Sequence, residues 1–415
     1  MGSDAESVLE LPPDLQGLPD GWKIQLLGKL VSEGRGISYG VVQPGSHDER
    51  GIPIVRVNNI VSGRLTAADV LRVSPEIEER YRRTRLAGGE VLLTVVGAYF
   101  GESTVVPAEF AGWNVARAVA VIPVAGNIDP YWICICLRSP LVKHYMQMYA
   151  TTTAQPTLNL GDVAQLPIPL PPKAEREAIV SVLRALDDKI DLNRRMNETL
   201  EALAQIQFRK WFVDVAQDEF PKDWHQVELG DLLRFEKGKK PPTTFETPEP
   251  GCSPVILIET FDSGRSAFAS PKNMLQAESQ DVLMVMDGAS SGRVETGFAG
   301  LVGSTIATIV PRRTVPGSRF LYYALKQLEP ETRQHLTGTS IPHTDKQWIV
   351  RQTVNLPSDE AVIKNFENVA ASIRSKIELN RAESRTHAAL RDALLPKLLS
   401  GELRVPIVEM KGKCS

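Results

Sequence analysis

The 415 residues carry 47 Lys and Arg against 50 Asp and Glu, a formal charge of −3, with 42% hydrophobic and 23% charged residues. That is an ordinary globular balance, long enough for two or more packed cores. It excludes a globally basic binder of nucleic acid, so any such affinity has to come from locally segregated Lys and Arg.

Four cysteines, Cys134, Cys136, Cys252 and Cys414, are too few for a disulfide framework and form no paired CxxC zinc sets. There is no basic-then-apolar leader and no run approaching about 18 apolar residues, so a reducing cytoplasm and no membrane are expected. Residues 1–17 read as a tail. From 18 to 172 the chain has the texture of a domain of short strands: IPIVRVNNI, EVLLTVVG and ARAVAVIPV are β-branched runs bounded by Gly, Pro and Asn. DPYWICICLRSPLVKHYMQM reads as helical, and the proline turn TTTAQPTLN follows it. Residues 173–214 read as a long helix.

The chain then repeats itself. LPDGWKIQLLGKL at Trp22 returns as FPKDWHQVELGDL at Trp224, an offset of 202. GEVLLTVVGAYFG returns as QDVLMVMDGASSG, pairing Gly97 with Gly288 and Gly101 with Gly292, both at an offset of 191. TTTAQPTLN returns as TGTSIPHTD, offset by 186 at Pro156 and Pro342, and KIDLNR returns as KIELNR, offset by 187. The offset thus slides from 202 to 191 in the front of each copy and moves only between 186 and 187 in the rear. Insertions are tolerated in surface loops, whereas in a packed helix they rotate the apolar stripe. A second domain is therefore placed at 215–357, a second helix at 358–405 and a tail at 406–415. Strand runs alternating with helical pieces make each front part an α+β domain.

The helical parts share one seam. Ile363, Phe366, Ala370, Ile373, Ile377, Asn380, Ser384, His387, Arg391, Leu394 and Leu398 keep strict 3,4 spacing, as do Ile179, Leu183, Leu186, Ile190, Asn193, Asn197, Leu200, Ala204, Gln207 and Trp211. Asn193 and Asn380 fall at equivalent seam positions. Two facing amides there can bond each other, and a slipped register would bury one unpaired; the alternative is that both lie on the solvent side of a drifting stripe. Beyond Leu200 the stripe widens through Leu203 and Ile206 to Phe208 and Trp211, so the helix end is expected to touch more than its partner helix. Helices of about 40 residues are roughly 60 Å long. Paired antiparallel, they would hold two similar domains apart with pseudo-two-fold symmetry, which suits a target with two sites about one duplex turn apart, roughly 34 to 36 Å.

In these residues the chain resembles the specificity subunit of type I restriction-modification systems. The resemblance covers nearly the whole length and is carried by TTTAQPTLNLGDVAQLPIPLPP, KIDLNRRMNETLEALAQIQFRKWFVD and KIELNRAESRTHAALRDALLPKLLSGEL, in their order and duplication. It implies an α+β architecture of two similar target recognition domains separated by two long antiparallel coiled-coil helices. It also implies double-stranded DNA as ligand, each domain reading one half of a bipartite asymmetric target, with two methyltransferase subunits docked on the helices and motor and nuclease subunits joining for cleavage. A coiled-coil scaffold whose paired globular domains bind proteins fits the duplication equally well, but not the junction sequences.

No phosphate loop GxxxxGK[ST], HExxH pair or GxSxG elbow is present, and the Asn/Asp-Pro-Pro-aromatic signature expected of an amino-methyltransferase is missing. With six scattered histidines, no catalytic residue, metal or cofactor is expected. DNA contact needs cations and hydroxyls for phosphates and amides or guanidiniums for base edges. In the first domain the loop candidates are Arg56, Asn58, Asn59, Tyr99, Thr152, Thr153, Gln155, Thr157 and Asn159. In the second they are Lys237, Lys239, Lys240, Ser290, Ser291, Arg293, Thr339, Ser340, His343 and Lys346. Any one of them can instead be a solvated loop residue, and the four glycines can simply serve turns. Where the first copy has QPTLN the second has IPHTD, so the proline turn is expected to keep its shape and change its contacts.

Overall fold

The computed structural model describes residues 18–61, 63–97, 99–150, 156–216, 221–264, 266–312, 315–338 and 340–406. Its contacts gather into two compact units, Met1–Ile190 with Thr386–Ser415, and Asp191–Arg385, so that both long helices contribute a stretch to each unit.

In the first unit a four-stranded antiparallel sheet runs in the order Ser38–Tyr39, Val119–Ile122, Val91–Thr94, Ser103–Val105. The central pair shows why its sequence reads as unbroken apolar runs rather than alternation. Val91, Leu93, Ala120 and Ile122 face a core with Trp132, while Leu92, Val119 and Val121 face a second core with Val55, Ile60 and Leu86. A sheet covered on both faces favours apolar side chains on both of them. A three-stranded sheet, Leu71–Val73, Ile52–Val55, Asn114–Val115, holds one parallel pairing, Ile54 with Asn114. Lys23–Leu26 pairs with Pro167–Leu170, bringing the start of the domain to the residues just before the long helix.

The second unit repeats this plan. Its first sheet runs Leu233–Lys237, Ile306–Pro311, Val282–Val285, Val294–Glu295, and its second Ala267–Ala269, Ser253–Ile256, Gly300–Val302, Gln276–Ala277. The parallel pairing recurs at Val255 with Leu301, and the Trp224–Glu228 strand pairs with Thr353–Pro357 as its counterpart does. Two glycines explain part of the repeated sequence around the tryptophans. A Cβ on Gly28 would come within 3.0 Å of the Ala164 side chain, and one on Gly230 within 3.1 Å of Val350, so the short helix after each proline turn can pack directly on this segment.

The helical stretch after Asp129 is two helices rather than one, Pro130–Arg138 and Pro140–Tyr149. Pro140 has no N–H to continue the ladder, Ser139 turns extended before it, and the Ser139 hydroxyl accepts from Val142 N. In the second unit the matching helix is Ser318–Gln334.

The long helices span Lys173–Phe208, continuing as a π turn Arg209–Val213, and Glu360–Ser400. In the first unit Glu175 meets Arg404 and Asp187 meets Arg391 at 2.6 Å, and in the second Glu201 meets Arg374 at 2.9 Å while Phe208 packs edge-on against Phe366. Rising numbers on one helix meet falling numbers on the other, so the pairing within each unit is antiparallel. Asn193 and Asn380 are each 1% exposed, which removes the solvent-side reading. Their amides do not bond each other, however. Asn193 Nδ2 donates to the Asn380 carbonyl (3.3 Å) and to Glu383 Oε2 (2.9 Å), and Asn380 Nδ2 donates to Asn197 Oδ1 (2.8 Å). Register is therefore fixed through backbone and flanking residues, since a slip would set these donors against Ile377 or Ile373. The widening stripe also resolves. Phe208 and Phe212 pack with Phe320, Tyr323 and Phe366 in the core of the second unit, whereas Leu203 and Ile206 stay exposed. Among the described residues no helix is long and apolar enough to cross a membrane.

Candidate nucleic-acid interface

The repeated glycines build the same turn twice. Gly97, Gly101, Gly288 and Gly292 all have positive φ (85°, 81°, 107° and 86°), the left-handed region where a side chain is strained. In the first copy Phe100 N donates to Gly97 O and Gly101 N to Thr94 O; in the second Ser291 N donates to Gly288 O and Gly292 N to Val285 O. Each turn is stitched to its proline loop by Gly97 N to Pro156 O and by Gly288 N to Pro342 O. Segments well separated in sequence are thus brought into one cradle in each unit.

The loop ends alike in both. Asn159 Oδ1 accepts from Asp162 N and caps the helix Leu160–Ala164, and Asp345 Oδ1 accepts from Gln347 N and Trp348 N and caps Lys346–Arg351. The Asn-to-Asp change between copies keeps the cap, because either side chain supplies the acceptor an N-terminus needs. The Asn159 carbonyl oxygen therefore serves the fold, not a ligand.

In the first unit Tyr99 is exposed in the glycine turn, and Thr157 is half-buried and bridged to Val96. Arg56, Asn58 and Asn59 lie on a different element, the turn after the strand Ile52–Val55. Asn58 is exposed there. Asn59 is a correction: it is fully buried, its Oδ1 accepts from Arg56 N and its Nδ2 donates to Ala68 O, so its amide closes its own turn. The Arg56 guanidinium is held by Asp69 at 3.0 Å. Thr152, Thr153 and Gln155 lie outside the described residues.

The second unit gathers more charge. Lys237 Nζ lies 2.7 Å from Asp287 Oδ2, and His343 Nδ1 lies 2.8 Å from Asp287 Oδ1. Burial pushes the Asp287 carboxyl up, but the hydrogen bonds from Lys237 and His343 and the Lys237 ammonium charge outweigh it and hold the group below the usual aspartate range. Lys346 Nζ sits 5.7 Å from the Phe235 ring centre, and Lys239, Lys240 and Ser340 are exposed. Ser290 is half-buried in the glycine turn. Ser291 is a second correction, buried with its hydroxyl donating to Gly288 O and Pro342 O (2.8 and 2.9 Å). Arg293 is a third, its guanidinium neutralised by Asp262 at 2.6 Å and Glu295 at 2.9 Å. Thr339 lies outside the described residues.

Three residues of this site escape a sequence reading. Tyr39 donates from its hydroxyl to Leu158 O at 2.9 Å, tying the sheet edge to the first proline loop; burial raises its phenol above the usual value, the nearby Arg117 charge opposing and Asp162 adding. Asp287 organises the second cradle. Arg117 itself is exposed beside the first. Strand register equates Tyr39, opposite Ala120, with Lys237, opposite Ala307. The one shared letter that could have signalled it is the next residue, Gly40 or Gly238, where a Cβ would strike the Val115 or Val302 carbonyl.

Comparison with known proteins shows the same duplication. A family model described as the type I restriction modification DNA specificity domain matches twice, over residues 44–202 and 221–385. The type I restriction enzyme EcoBI specificity subunit of Escherichia coli is 32% identical over 221 residues, 53% of this chain and 46% of that protein, so the match spans less than half of that relative's length. The MjaIX specificity subunit of Methanocaldococcus jannaschii is 25% identical over 310 residues, covering 69% of this chain and 71% of its own. Among solved structures, the type I restriction-modification S subunit from M. genitalium has a TM-score of 0.53 at 15% identity, covering 92% of this chain and 96% of that one, a likeness of fold.

Proposed function

The chain belongs to the type I restriction-modification DNA specificity family, and from that membership we propose that it is the sequence-reading subunit of such a system, each unit contacting one half of a bipartite, asymmetric duplex target. One observation carries the reading. The two cradles repeat the same backbone hydrogen bonds while presenting different side chains: Tyr39, Val96 and Thr157 in one, Lys237, Asp287 and His343 in the other. A fixed scaffold with exchanged functional groups suits two unlike half-sites, since base edges are told apart by the pattern of donors and acceptors they meet. Asn58, Tyr99, Thr157 and Arg117 would act in the first unit, and Lys237, Lys239, Lys240, Ser290, Ser340, His343 and Lys346 in the second, the lysines on phosphates.

The recognition domains would span 18–172 and 215–357 and the spacer helices 173–214 and 358–405. The helices would dock two methyltransferase subunits, an assignment supported by the exposed Leu192, Met196, Leu203, Ile206 and Leu379. The subunit performs no chemistry of its own, and motor and nuclease subunits would complete a cleaving complex in the cytoplasm. Selection from a random duplex pool, using the full chain alone and with methyltransferase subunits, is expected to return one two-part, non-palindromic motif whose affinity falls with added salt. Equal binding to scrambled duplexes overturns the proposal.

A further inference from the structure

The Asp287 carboxylate poses a problem for a face that meets DNA. A lone acid there would repel phosphate. Here each of its oxygens has one partner, Lys237 Nζ at 2.7 Å and His343 Nδ1 at 2.8 Å. An ionised carboxylate can only accept, so Nδ1 carries the hydrogen, and in the neutral ring Nε2 is left with a bare lone pair. The ring is half exposed, and among the described residues Nε2 meets no hydrogen-bond partner. Its backbone is held as well, by reciprocal hydrogen bonds between His343 and Thr337 of 2.8 and 2.9 Å. A side chain locked in place with a single free acceptor has the makings of a base-reading group.

We propose that Asp287 is a positioning residue that sets specificity in the second unit. By holding His343 through Nδ1 it presents Nε2 as an acceptor, so one position of that unit's half-site must offer an exocyclic amino group, adenine N6 or cytosine N4, in the major groove. The inference rests on the reading of this face as a DNA contact. The first unit lacks the device, because Val96 and Thr157 stand where Asp287 and His343 do and the Tyr39 hydroxyl makes the corresponding tie to Leu158 O.

Asp287→Asn tests this directly. An asparagine can turn its Oδ1 to Lys237 and its Nδ2 to His343 Nδ1, which moves the ring hydrogen to Nε2 and converts the acceptor into a donor. Duplex selection at about pH 8, above the ordinary imidazole range, is run on the full wild-type chain, Asp287→Asn and His343→Ala. The expected wild-type motif has adenine or cytosine at one position of one half, and exchanging that pair in a fixed duplex separates the two. His343→Ala flattens the preference there by about five- to tenfold and nowhere else. Asp287→Asn shifts it toward guanine or thymine, whose major-groove edges accept, a change that a merely structural role would not produce. Both variants selecting the wild-type motif unchanged overturns the inference while leaving the proposed function intact. Should Asp287→Asn lose all binding, His343→Ala alone decides, full retention of the preference being the overturning result. No motif from the wild-type chain overturns the functional reading itself and this inference with it.

Discussion

The two cradles share their backbone and differ in chemistry. Positions 39, 96 and 157 hold a phenol, an aliphatic and a hydroxyl; their counterparts 237, 287 and 343 hold an ammonium, a carboxylate and an imidazole. In both units the edge strand is tied to the proline loop, once by a phenol donating to a carbonyl and once by a Lys-Asp-His chain. The lesson is that the fold asks only for a link across that gap and leaves the kind of link open. Backbone geometry is held by glycines and caps, and the side chains between them are free to diverge.

The same contrast extends to how each unit holds its stretch of long helix, and there the largest effect is expected. In the first unit Asp187 accepts from Tyr131 (2.7 Å) and Arg391 (2.6 Å); in the second its repeat counterpart, Arg374, donates to Glu201 (2.9 Å) and to the Thr296 carbonyl (3.2 Å). Acid has become base at the matched position. Arg374 is 8% exposed, so Arg374→Ala leaves Glu201 in a part-buried site without its cation and is expected to cost about 3 kcal/mol. Asp187→Ala leaves Arg391 at 25% exposure, with water in reach, and should cost about half as much. Hydrogen exchange resolved by unit measures both; equal losses would break the asymmetry.

The glycine turns come next. Gly101→Ala places a Cβ 3.6 Å from Met146 Sδ, an ordinary contact, so the cost is the left-handed backbone alone, about 1 kcal/mol. Gly292→Ala places it 2.9 Å from Thr332 Cγ2, on a buried helix residue that cannot swing away, and about 2 kcal/mol is expected from denaturant midpoints. The caps should show sameness instead. Asn159→Ala and Asp345→Ala are each expected to lose about 1 kcal/mol, and Asp345→Asn almost nothing, because the acceptor survives. A large loss for Asp345→Asn would mean that charge, not capping, is what the second copy requires.

Much of this plan was legible in the sequence because its carriers are invariant between the copies: the glycine pairs, the prolines and the seam asparagines recur as letters. Tyr39 and Lys237 were hidden because they lie where the repeat offset slides from 202 to 191, and only the following glycine is shared. Asn59 and Ser291 misled because a polar residue in a turn reads as surface, although a short side chain can equally well fold back on its own backbone. Arg293 misled differently. Its partner Asp262 is 31 residues away on the helix Ile258–Ser263, and nothing in local spacing announces that the fold will bring the two together. Binding groups on loops depend on such long-range neighbours, so the scaffold was readable where the site's chemistry was not.

The smallest expected effect is also the most selective for the comparison. Asp287 is held below the usual aspartate value in the folded chain, a depression that is lost on unfolding. A carboxyl depressed by folding adds stability above its unfolded value, and that contribution fades as pH falls through the folded value. Because Lys237 and Asp287 are partly solvated, the contribution should stay below about 1 kcal/mol. Wild type is therefore expected to exceed Asp287→Ala in thermal midpoint by a small margin at about pH 5. That margin should narrow through about pH 4 and vanish below the folded value. Val96→Ala in the first unit has no ionisable group to lose, so whatever its cost in packing, the difference from wild type should not vary over the same range. A margin for Asp287→Ala that is equally flat would show that the Lys-Asp-His chain is held by shape and not by charge, and would make the two ties alike after all.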